Sequence, residues 1–440
     1  MKLFLYKFLL RKRLAAVRAV IKEMAERTTR IDIEALQVER FNQVWKDAWR
    51  NVPFYKNWKG KYNLPDEIRT LDELSTWPIL TKTDLRNSVN FVRQGVPMPS
   101  GRLITGGSTG EPVRMPTWGD PHTAIMQTIG RLAYGIEPGD KTLLLWGHEH
   151  LYGKGFMRRI NRLKRGVKDW LANAKRVSAY DLGRPAMEHA FNVMRKFQPK
   201  FIIGFSPAVL SFVRQNAEHS GEIRSVKVVL CTAGPLSIDE KAEIKAFFGS
   251  ELCMEYGSVD GGCMAYTRPE DGKYRVFWNT HLLQPLKQPD GECKNIVTRL
   301  TKCYVPLIRY DIGDFIDVAN GEIETSSAVI LDNVKGRPSE MISFKCGVSF
   351  FGALIGDCVK QVDAVIASQI AVDEKENYLE IRVIANNDLS DDDKALIAGR
   401  VRLTVRDADK LSIRVVQVKQ LFATIGGKVP RVVRIDLKGQ

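Results

Sequence analysis

Beyond residue 100, short runs of apolar residues alternate with segments of helical periodicity. The runs are "KTLLLW" at 141–146, "KFIIGF" at 200–205, "SVKVVLCTAG" at 225–234 and "SELCMEYG" at 250–257. Helical segments such as 186–197 and 237–248 separate them, and this alternation predicts α/β organisation with a largely parallel sheet. Ligands bind at the carboxyl ends of the strands in such sheets. We therefore expect "WGHEH", "GFSP", "TAGP" and "YGSVDGG" to open onto one cleft.

The hydrophobic pattern changes twice towards the C-terminus. Residues 280–335 combine short strands with turn residues, which indicates an antiparallel β subdomain. Residues 338–440 show a helix near 350–361, a hairpin over 367–385 and a helix over 390–405, followed by a last strand. The predicted fold is α/β, with a large N-terminal domain (1–336) that combines mostly parallel sheets with the β subdomain. A small α+β C-terminal domain (337–440) follows a hinge near Gly336.

The first residues, "MKLFLYKFLLRKRLAAVRAVIK", predict an amphipathic basic helix over residues 1–24. Helical spacing places apolar side chains on one stripe and basic side chains beside it; the stripe is Leu3, Leu10, Leu14, Val17 and Ile21. Lys7 interrupts the apolar segment and no small-residue cleavage site follows, so this is a poor secretory signal. Two interpretations stay open. The helix docks on its own protein or on a second copy in a homodimer, or it rests on anionic lipid.

Composition limits the classes of partner. The 440 residues are 44% hydrophobic and 27% charged, with a net charge of +15, which admits nucleic acid, an anionic membrane surface or polyanionic small molecules. No aromatic-interleaved basic motif is present, so specific nucleic-acid binding is not predicted. The seven cysteines form no Cys-x-x-Cys pair, and no apolar run approaches the ~20 residues of a membrane span. These features indicate a reduced, cytoplasmic protein, with peripheral contact at the inner face of the membrane as an open alternative.

The stretch "TGGSTGEPVRM" from Thr105 to Met115 suggests a loop that binds phosphate. Its glycines and hydroxyls are suited to surrounding an anion with backbone N–H and O–H donors. It is not a P-loop, because Glu111 and Pro112 follow Gly110 where that motif has its lysine. A phosphate held here needs a lysine from elsewhere in the chain.

Five stretches occur in a defined order along nearly the whole chain: "GGSTGEP", "TAGP", "YGSVDGG", "RYDIGD" with "KGRPSEMI", and "GGKVPR". Together they resemble the adenylate-forming superfamily of acyl-CoA ligases and peptide-synthetase adenylation domains. The phenylacetate-CoA ligase and capsular polysaccharide biosynthesis branch is the most similar, because "VPFYKNW" and "WPILTKTDL" are shared with it as well. The resemblance implies an acyl-CoA ligase-like fold with a mobile C-terminal domain.

The resemblance also implies a reaction and its partners. A small-molecule carboxylate attacks the α-phosphate of ATP, pyrophosphate leaves, and the acyl group passes from the adenylate to an acceptor. Mg²⁺ is the expected metal ion. The acceptor is a thiol, either coenzyme A or the phosphopantetheine of a carrier protein, or an amine.

Site residues follow from matching the motifs. Phosphate binding is implied for Gly107, Ser108, Thr109 and Gly110; adenine and ribose binding for Ala233, Gly234, Pro235, Tyr256, Gly257, Asp314 and Arg337; Mg²⁺ binding for Asp260; and catalysis for Lys428. Tyr256 would stack on the adenine, and Asp314 would accept both ribose hydroxyls. Lys428 would reach the α-phosphate when the small domain closes.

This chain departs from the family pattern at three places. Val259 and Asp260 replace the usual Thr-Glu, so a carboxylate is kept but the hydroxyl that would touch the α-phosphate is lost. Ser339 and Glu340 replace the usual aspartates at the hinge. Cys263 and His281 are the only remnants expected of the Cys/His metal site found in part of the branch, which leaves too few ligands for tetrahedral zinc.

"WGHEHLYG" follows a predicted buried strand where the family places its acyl pocket. Trp146, His148 and His150 are candidate pocket residues, although two histidines one residue apart need not both face a substrate. Two other functions stay open for the chain. One is a degenerate relative that binds nucleotide without full catalysis, and the other is a basic protein that binds nucleic acid through charge alone.

Overall fold

The computed structural model describes residues 2–86, 88–93, 95–104, 114–146, 155–177, 184–319, 327–336, 341–352, 355, 359, 362, 364–385, 387–405, 407–422 and 432–437. The helices within these ranges are α1 (Lys2–Leu9), α2 (Arg11–Glu26), α3 (Arg30–Asn51), α4 (Pro53–Lys61), α5 (Lys82–Arg86), α6 (Pro121–Leu132), α7 (Gly155–Leu171), α8 (Arg184–Phe197), α9 (Ser206–Gln215), α10 (Ile238–Phe248) and α11 (Asp391–Thr404). Short 3₁₀ helices cover Leu71–Thr76, Ser88–Phe91, Ala217–His219 and Ala408–Lys410.

The strands of the described residues are short. They are β1 (Gly101–Ile104), β2 (Arg114–Thr117), β3 (Thr142–Leu145), β4 (Ala174–Val177), β5 (Phe201–Phe205), β6 (Val228–Thr232), β7 (Glu251–Ser258), β8 (Gly262–Thr267), β9 (Tyr274–Val276), β10 (His281–Lys287), β11 (Cys293–Arg299), β12 (Tyr310–Val318), β13 (Ile330–Gly336), β14 (Met341–Ser343), β15 (Ser349–Phe351), β16 (Val365–Asp373), β17 (Tyr378–Ala385), β18 (Ser412–Gln417) and β19 (Val432–Arg434).

The chain divides into two compact units, each built from three segments. The first comprises 1–106, 113–139 and 253–336, and the second comprises 107–112, 140–252 and 337–440. The domains predicted from the sequence, 1–336 and 337–440, stay a prediction.

Antiparallel strands form the sheet of the first unit, in the order β10-β11-β12-β13-β9-β8-β7. This confirms the antiparallel β region predicted for residues 280–335. The β7–β8 hairpin is narrow at Gly257, where an added Cβ would lie 2.7 Å from the carbonyl oxygen of Gly262. Only glycine permits that close backbone approach.

Aromatic side chains from the N-terminal helices form part of the core of the first unit. Trp45 of α3 packs against Trp77 with ring centroids 4.8 Å apart, and both rings are buried. Tyr55 of α4 is also buried, and its hydroxyl donates to the carbonyl oxygen of Pro306 at 2.6 Å. Because burial disfavours the phenolate, the pKa of Tyr55 is raised. The stretches "VPFYKNW" and "WPILTKTDL" therefore serve as scaffold.

The N-terminal amphipathic helix is two helices, α1 and α2, which meet at Leu10. The predicted helical conformation is therefore present on both sides of Leu10, and the break at this residue was not predicted. Of the predicted apolar stripe, only Val17 is buried. α1 lies against the segment after α6: Leu3 is next to Gly139, and Lys7 pairs with Glu137 at 3.2 Å. Among the described helices, none is long and apolar enough to cross a membrane.

Parallel strands in the order β6-β5-β3-β4 form the sheet of the second unit. Helices α7, α8 and α9 are the crossover connections, as expected for parallel pairing. β6 ("VVLCT") is buried along its whole length, and four of the five residues of β5 ("FIIGF") are buried. The sequence prediction of an α/β fold with parallel strands is confirmed here.

Residues 341–437 of the second unit contribute a smaller sheet, in the order β18-β17-β16-β19. The β16–β17 hairpin and α11 match the predicted hairpin and helix. Ser390 and Asp393 form a capping box at the start of α11. Ile370, Ile381, Ile397 and Val401 belong to the buried core of this region. Most of the helix predicted near 350–361 lies outside the described residues, and β19 was not predicted.

Candidate nucleotide site

Three side chains from strands β7, β11 and β12 of the first unit form one hydrogen-bonded chain. Asn295 of β11 donates from Nδ2 to the hydroxyl of Tyr256 at 2.9 Å. Tyr256 of β7 in turn donates to Oδ2 of Asp314 of β12 at 3.1 Å. Asn295 is buried, Tyr256 is 6% exposed and Asp314 is half-buried. Tyr256 and Asp314, predicted for adenine and ribose from motifs 58 residues apart, thus contact each other.

Asp260 lies in the turn between β7 and β8 and points inwards. Its Oδ1 accepts hydrogen bonds from the Ser258 hydroxyl at 2.5 Å and the Gly261 N–H at 3.1 Å. Its Oδ2 accepts from the Tyr310 hydroxyl at 2.7 Å. Asp260 is only 4% exposed, whereas neighbouring Val259 is 52% exposed. The carboxylate predicted to bind Mg²⁺ therefore holds the turn together in this structure.

His281 supports the same turn from the first residue of β10. Its Nε2 lies 2.8 Å from the carbonyl oxygen of Gly261, and its Nδ1 lies 3.0 Å from the Thr280 hydroxyl. Burial, assisted by nearby Arg299, lowers the pKa of His281 to about 3. The ring is therefore neutral at neutral pH. Since a carbonyl only accepts, Nε2 carries the proton and donates to Gly261.

The start of α6 contacts the other end of the turn. Asp120 caps α6 by accepting from the N–H groups of His122 and Thr123. Its Oδ2 also accepts from the Thr123 hydroxyl at 2.5 Å and from Arg299 at 2.9 Å. Burial opposes ionisation of Asp120, but Arg299 and Thr123 outweigh it and hold its pKa below the ordinary value. Thr123 accepts from the N–H of Cys263 at 3.3 Å, so this network positions the hairpin.

In the second unit, Ala233, Gly234 and Pro235 form the turn after β6. Ala233 adopts a left-handed conformation with φ of +63°, which is uncommon for a residue with a Cβ. The hydroxyl of Ser206, the first residue of α9, lies 2.7 Å from the Gly234 carbonyl oxygen and 3.1 Å from that of Thr232. Ser206 is buried, so this hydrogen bonding fixes the turn. Strain of this kind is concentrated at functional sites.

Trp146 follows β3 in the second unit and is half-buried. The centroid of its ring lies 4.2 Å from that of Phe205, and its backbone N–H donates to the Val177 carbonyl oxygen at 3.0 Å. The remaining candidates lie outside the described residues: Gly107, Ser108, Thr109, Gly110, His148, His150, Arg337 and Lys428, together with the hinge residues Ser339 and Glu340. The roles assigned to all these residues stay predictions.

Sequence reasoning missed the residues that support the site. Asn295, Thr123, Asp120 and Ser206 belong to none of the five family stretches, and Tyr310 lies in "RYDIGD" without a role assigned to it. Each acts through a partner distant in the sequence. The stretch "GFSP" predicted that Ser206 lies at the edge of the sheet, but it did not predict the carbonyl oxygens that Ser206 contacts. His281 and Cys263 had been considered as remnants of a metal site. Among the described residues, no group of three His, Cys, Asp or Glu side chains is arranged to hold a metal ion.

Comparison with known proteins gives sequence relatives at low identity. No protein-family model matches the chain. It is 25% identical to the phenylacetate-coenzyme A ligase of Escherichia coli over 340 residues, covering 73% of this chain and 74% of the relative. It is 22% identical to protein CapK of Staphylococcus aureus over 414 residues, covering 90% and 88%.

Solved structures with the same fold include a 2-hydroxyisobutyryl-CoA ligase in complex with an acyl-adenylate and CoA. The TM-score is 0.57 at 16% identity, covering 92% of this chain and 90% of the ligase. The Escherichia coli relative is a CoA ligase, and the ligase of the solved structure holds an acyl-adenylate, which is consistent with the predicted reaction. The predicted resemblance is thereby confirmed: over most of its length the chain is similar to phenylacetate-CoA ligases and CapK, and it has the fold of the adenylate-forming ligases.

Proposed function

We propose that this protein is an ATP-dependent ligase that activates a small-molecule carboxylate as an acyl-adenylate and then transfers the acyl group to coenzyme A. The chain of Asn295, Tyr256 and Asp314 carries the proposal, because it joins the residues predicted for adenine and ribose. The ligase structure with a bound acyl-adenylate and CoA supports coenzyme A as the acceptor. A carrier-protein thiol and an amine are the alternative acceptors.

The chemistry explains the residue types around the nucleotide. A carboxylate oxygen bonds to the α-phosphorus, and the bond to the bridging oxygen of pyrophosphate breaks. Negative charge accumulates on the α-phosphate oxygens in the transition state, where preorganised donors stabilise it. We assign the N–H and O–H donors to residues 107–110 and the mobile positive charge to Lys428. In the second step the CoA thiolate attacks the acyl carbon, and AMP leaves with the electron pair of the broken bond.

Mg²⁺ is expected to accompany ATP, but Asp260 as placed is a poor ligand for it. Mg²⁺ is usually bound by one or two carboxylates together with phosphate oxygens and water. Both carboxylate oxygens of Asp260 accept hydrogen bonds inside the protein. The surroundings of Asp260 therefore do not fit a Mg²⁺ site, and the proposed reaction includes no step that uses a cation at this residue.

Pyrophosphate exchange tests the proposed activation step directly. The protein is incubated with ATP, labelled pyrophosphate and each member of a panel of aryl and aliphatic carboxylates. We expect label to enter ATP only with an accepted acid. With that acid, thioester formation is then compared for CoA, a phosphopantetheine carrier protein and amines. If the folded protein shows no pyrophosphate exchange with any acid of the panel, the proposed ligase activity is wrong.

The degenerate relative is a second candidate, and the turn around Asp260 favours it. Val259 presents an apolar, exposed side chain where the family has a hydroxyl, and Asp260 is turned inwards. Calorimetry with ATP distinguishes the two functions. Nucleotide binding without exchange across the panel, unaffected by Lys428→Ala, would identify a protein that binds nucleotide without catalysis.

We also propose that residues 1–24 contact an anionic membrane surface. The outer face of α1 exposes Phe4 (78%), Leu5, Phe8 and Leu9, and the basic residues Arg11, Lys12 and Arg13 follow it in exposed positions. An exposed apolar face beside basic residues is typical of interfacial helices. Phe4→Ser with Phe8→Ser should weaken binding to phosphatidylglycerol vesicles without unfolding the protein. Loss of a dimer instead, seen by light scattering, would place a second copy of the chain on this face.

A further inference from the structure

The crossover helix α7 turns an apolar stripe towards solvent. It connects β3 to β4, and no side chain described in it, from Arg159 onwards, is buried. A crossover helix normally packs its apolar stripe against the sheet. In α7, by contrast, Leu163 is 71% exposed, Trp170 is 59% exposed and Val167 is also exposed. Packing against its own sheet therefore does not explain the exposed apolar side chains of this helix.

The exposed apolar residues form a continuous surface. Positions 163, 167 and 170 are separated by four and three residues, which places them on one face of the helix. A groove of about 580 Å³ runs along this face, lined by Arg159, Arg162, Leu163, Gly166, Val167 and Trp170. The groove is shallow and its lining is largely apolar, with the guanidinium groups of Arg159 and Arg162 beside it.

Positive charge surrounds the stripe. Residues 155–171 contain six basic residues and one acidic residue, Asp169. Asp169 forms an ion pair with Arg176 at 3.2 Å, so it does not offset the charge of the exposed face. By helical spacing, Arg159 and Arg162 lie on one side of the stripe, while Lys164 and Lys168 lie on the other. All four are exposed.

We propose that α7 is a second lipid-contacting helix, which lies in the plane of an anionic membrane surface. Leu163, Val167 and Trp170 would enter the headgroup region, where tryptophan is favoured. The flanking lysines and arginines would extend to lipid phosphates while their aliphatic parts cover the apolar stripe. A second copy of α7 is a poor occupant, because two positively charged faces repel each other. This proposal depends neither on the ligase activity nor on α1.

The test is co-sedimentation of the full-length protein with phosphatidylglycerol–phosphatidylcholine vesicles, compared with phosphatidylcholine alone. One variant removes the stripe (Leu163→Ser with Trp170→Ser), and another reverses charge beside it (Lys164→Glu with Lys168→Glu). Lys375→Glu with Lys419→Glu is the matched control, because it changes net charge equally at two exposed lysines elsewhere. Circular dichroism and thermal unfolding check that each variant is folded, as expected for exposed positions.

We expect the protein to bind the anionic vesicles and not the neutral ones. The Lys164/Lys168 variant should bind at least about 30-fold more weakly, because the loss of two basic residues costs about 1 kcal/mol each at an anionic surface and the new glutamates add repulsion. The Leu163/Trp170 variant should also lose most of its binding, while the control keeps it. If the control loses as much vesicle binding as the Lys164/Lys168 variant, binding depends on net charge alone and not on α7, which would overturn the proposal.

Three further outcomes would overturn it. Unchanged binding by both α7 variants, with loss on Phe4→Ser/Phe8→Ser, would place lipid contact on α1 alone. A dimer that dissociates in the Leu163/Trp170 variant, without vesicle binding, would identify a second copy as the occupant. Capture of an acidic protein through the same residues, again without vesicle binding, would identify a protein partner.

Discussion

Asp260 and His281 hold the backbone of the same residue, Gly261, from two sides. Asp260 accepts from the N–H of Gly261, and His281 donates to its carbonyl oxygen. Both side chains are buried, so neither interaction is exchanged readily with water. The position of the exposed residues in this turn, Val259 among them, is therefore set by charges and dipoles beneath the surface.

Asp260→Asn separates the structural role of Asp260 from the predicted role in Mg²⁺ binding. An amide places an NH₂ group where a donor already points at the carboxylate, which leaves buried groups unsatisfied. We expect the free energy of unfolding to fall by about 1–3 kcal/mol, measured by urea denaturation. Asp388→Asn, at an exposed aspartate, is the control and should have little effect. Unchanged stability with a raised Mg²⁺ requirement for pyrophosphate exchange would show that Asp260 binds the metal ion.

His281 makes stability depend on pH in a defined range. In an unfolded chain histidine has a pKa of about 6.5, whereas in the fold the pKa is lowered to about 3. Between these values the unfolded chain binds a proton that the folded protein does not bind. Stability from the neutral histidine is therefore full above pH ~6.5 and is lost as pH falls towards ~3, by at most about 1.4 kcal/mol per pH unit.

His281→Gln should reduce this pH dependence. The glutamine amide is able to donate to Gly261 but does not titrate. Urea denaturation of both proteins at a series of pH values below ~6.5 measures the difference in slope, and contributions from Asp120 and other carboxylates are common to both. Parallel curves would mean that His281 is protonated in the folded protein.

The roles of single residues were predictable where a family motif assigns them, and were not predictable where they depend only on packing in the fold. Tyr256 and Asp314 belong to motifs, and they contact each other. Asn295 lies in an ordinary strand, 39 residues from its partner Tyr256. Tyr310 lies in a motif, but its contact with Asp260, 50 residues away, was not predicted. Nothing local in the sequence specifies such pairs, because strand register decides which side chains meet.

At the scale of elements, two helical glycines offer a matched pair of substitutions. Gly130 of α6 faces Tyr266 of β8, and an added Cβ would lie 2.4 Å from the ring. Gly399 of α11 has no such neighbour within 4 Å. Gly130→Ala should lower the free energy of unfolding by about 1–3 kcal/mol through overpacking. Gly399→Ala should raise it by about 0.5–1 kcal/mol through helix propensity.

Thermal and urea unfolding measure both substitutions. A stable Gly130→Ala protein would mean that α6 is able to move away from the sheet. Destabilisation by Gly399→Ala would mean that other atoms of the protein pack against α11 at residue 399.

Elements with a clear local signal were predicted well. β5 and β6 are uninterrupted apolar runs, and α10 and α11 have Ser caps that mark where they begin. The break at Leu10 was missed, because helical periodicity continues through it. The outward orientation of the apolar stripe of α7 was also not predictable, since periodicity indicates a face but not what that face contacts.

At the scale of the whole molecule, Lys428 tests whether two parts of the chain act together. Its assigned role requires the C-terminal region to supply a charge to the α-phosphate. Lys428→Ala should slow pyrophosphate exchange by about 10²–10³, the range for loss of one donor to developing charge. ATP binding measured by calorimetry should change little, and transfer from a supplied acyl-adenylate to CoA should survive. Exchange at the unaltered rate would contradict the two-domain mechanism.

The interleaved segments of the two units also affect how the chain folds during synthesis. Tyr55 is synthesised long before its hydrogen-bond partner Pro306, and segments 1–106 and 113–139 complete their unit only with residues 253–336. At roughly 5–20 residues per second, the roughly two hundred residues made in between take on the order of ten to forty seconds on the ribosome. Throughout that interval the aromatic cluster around Trp45 lacks its sheet. The nascent chain is then a substrate for chaperones, and neither unit is obtained whole by truncating the gene at one point.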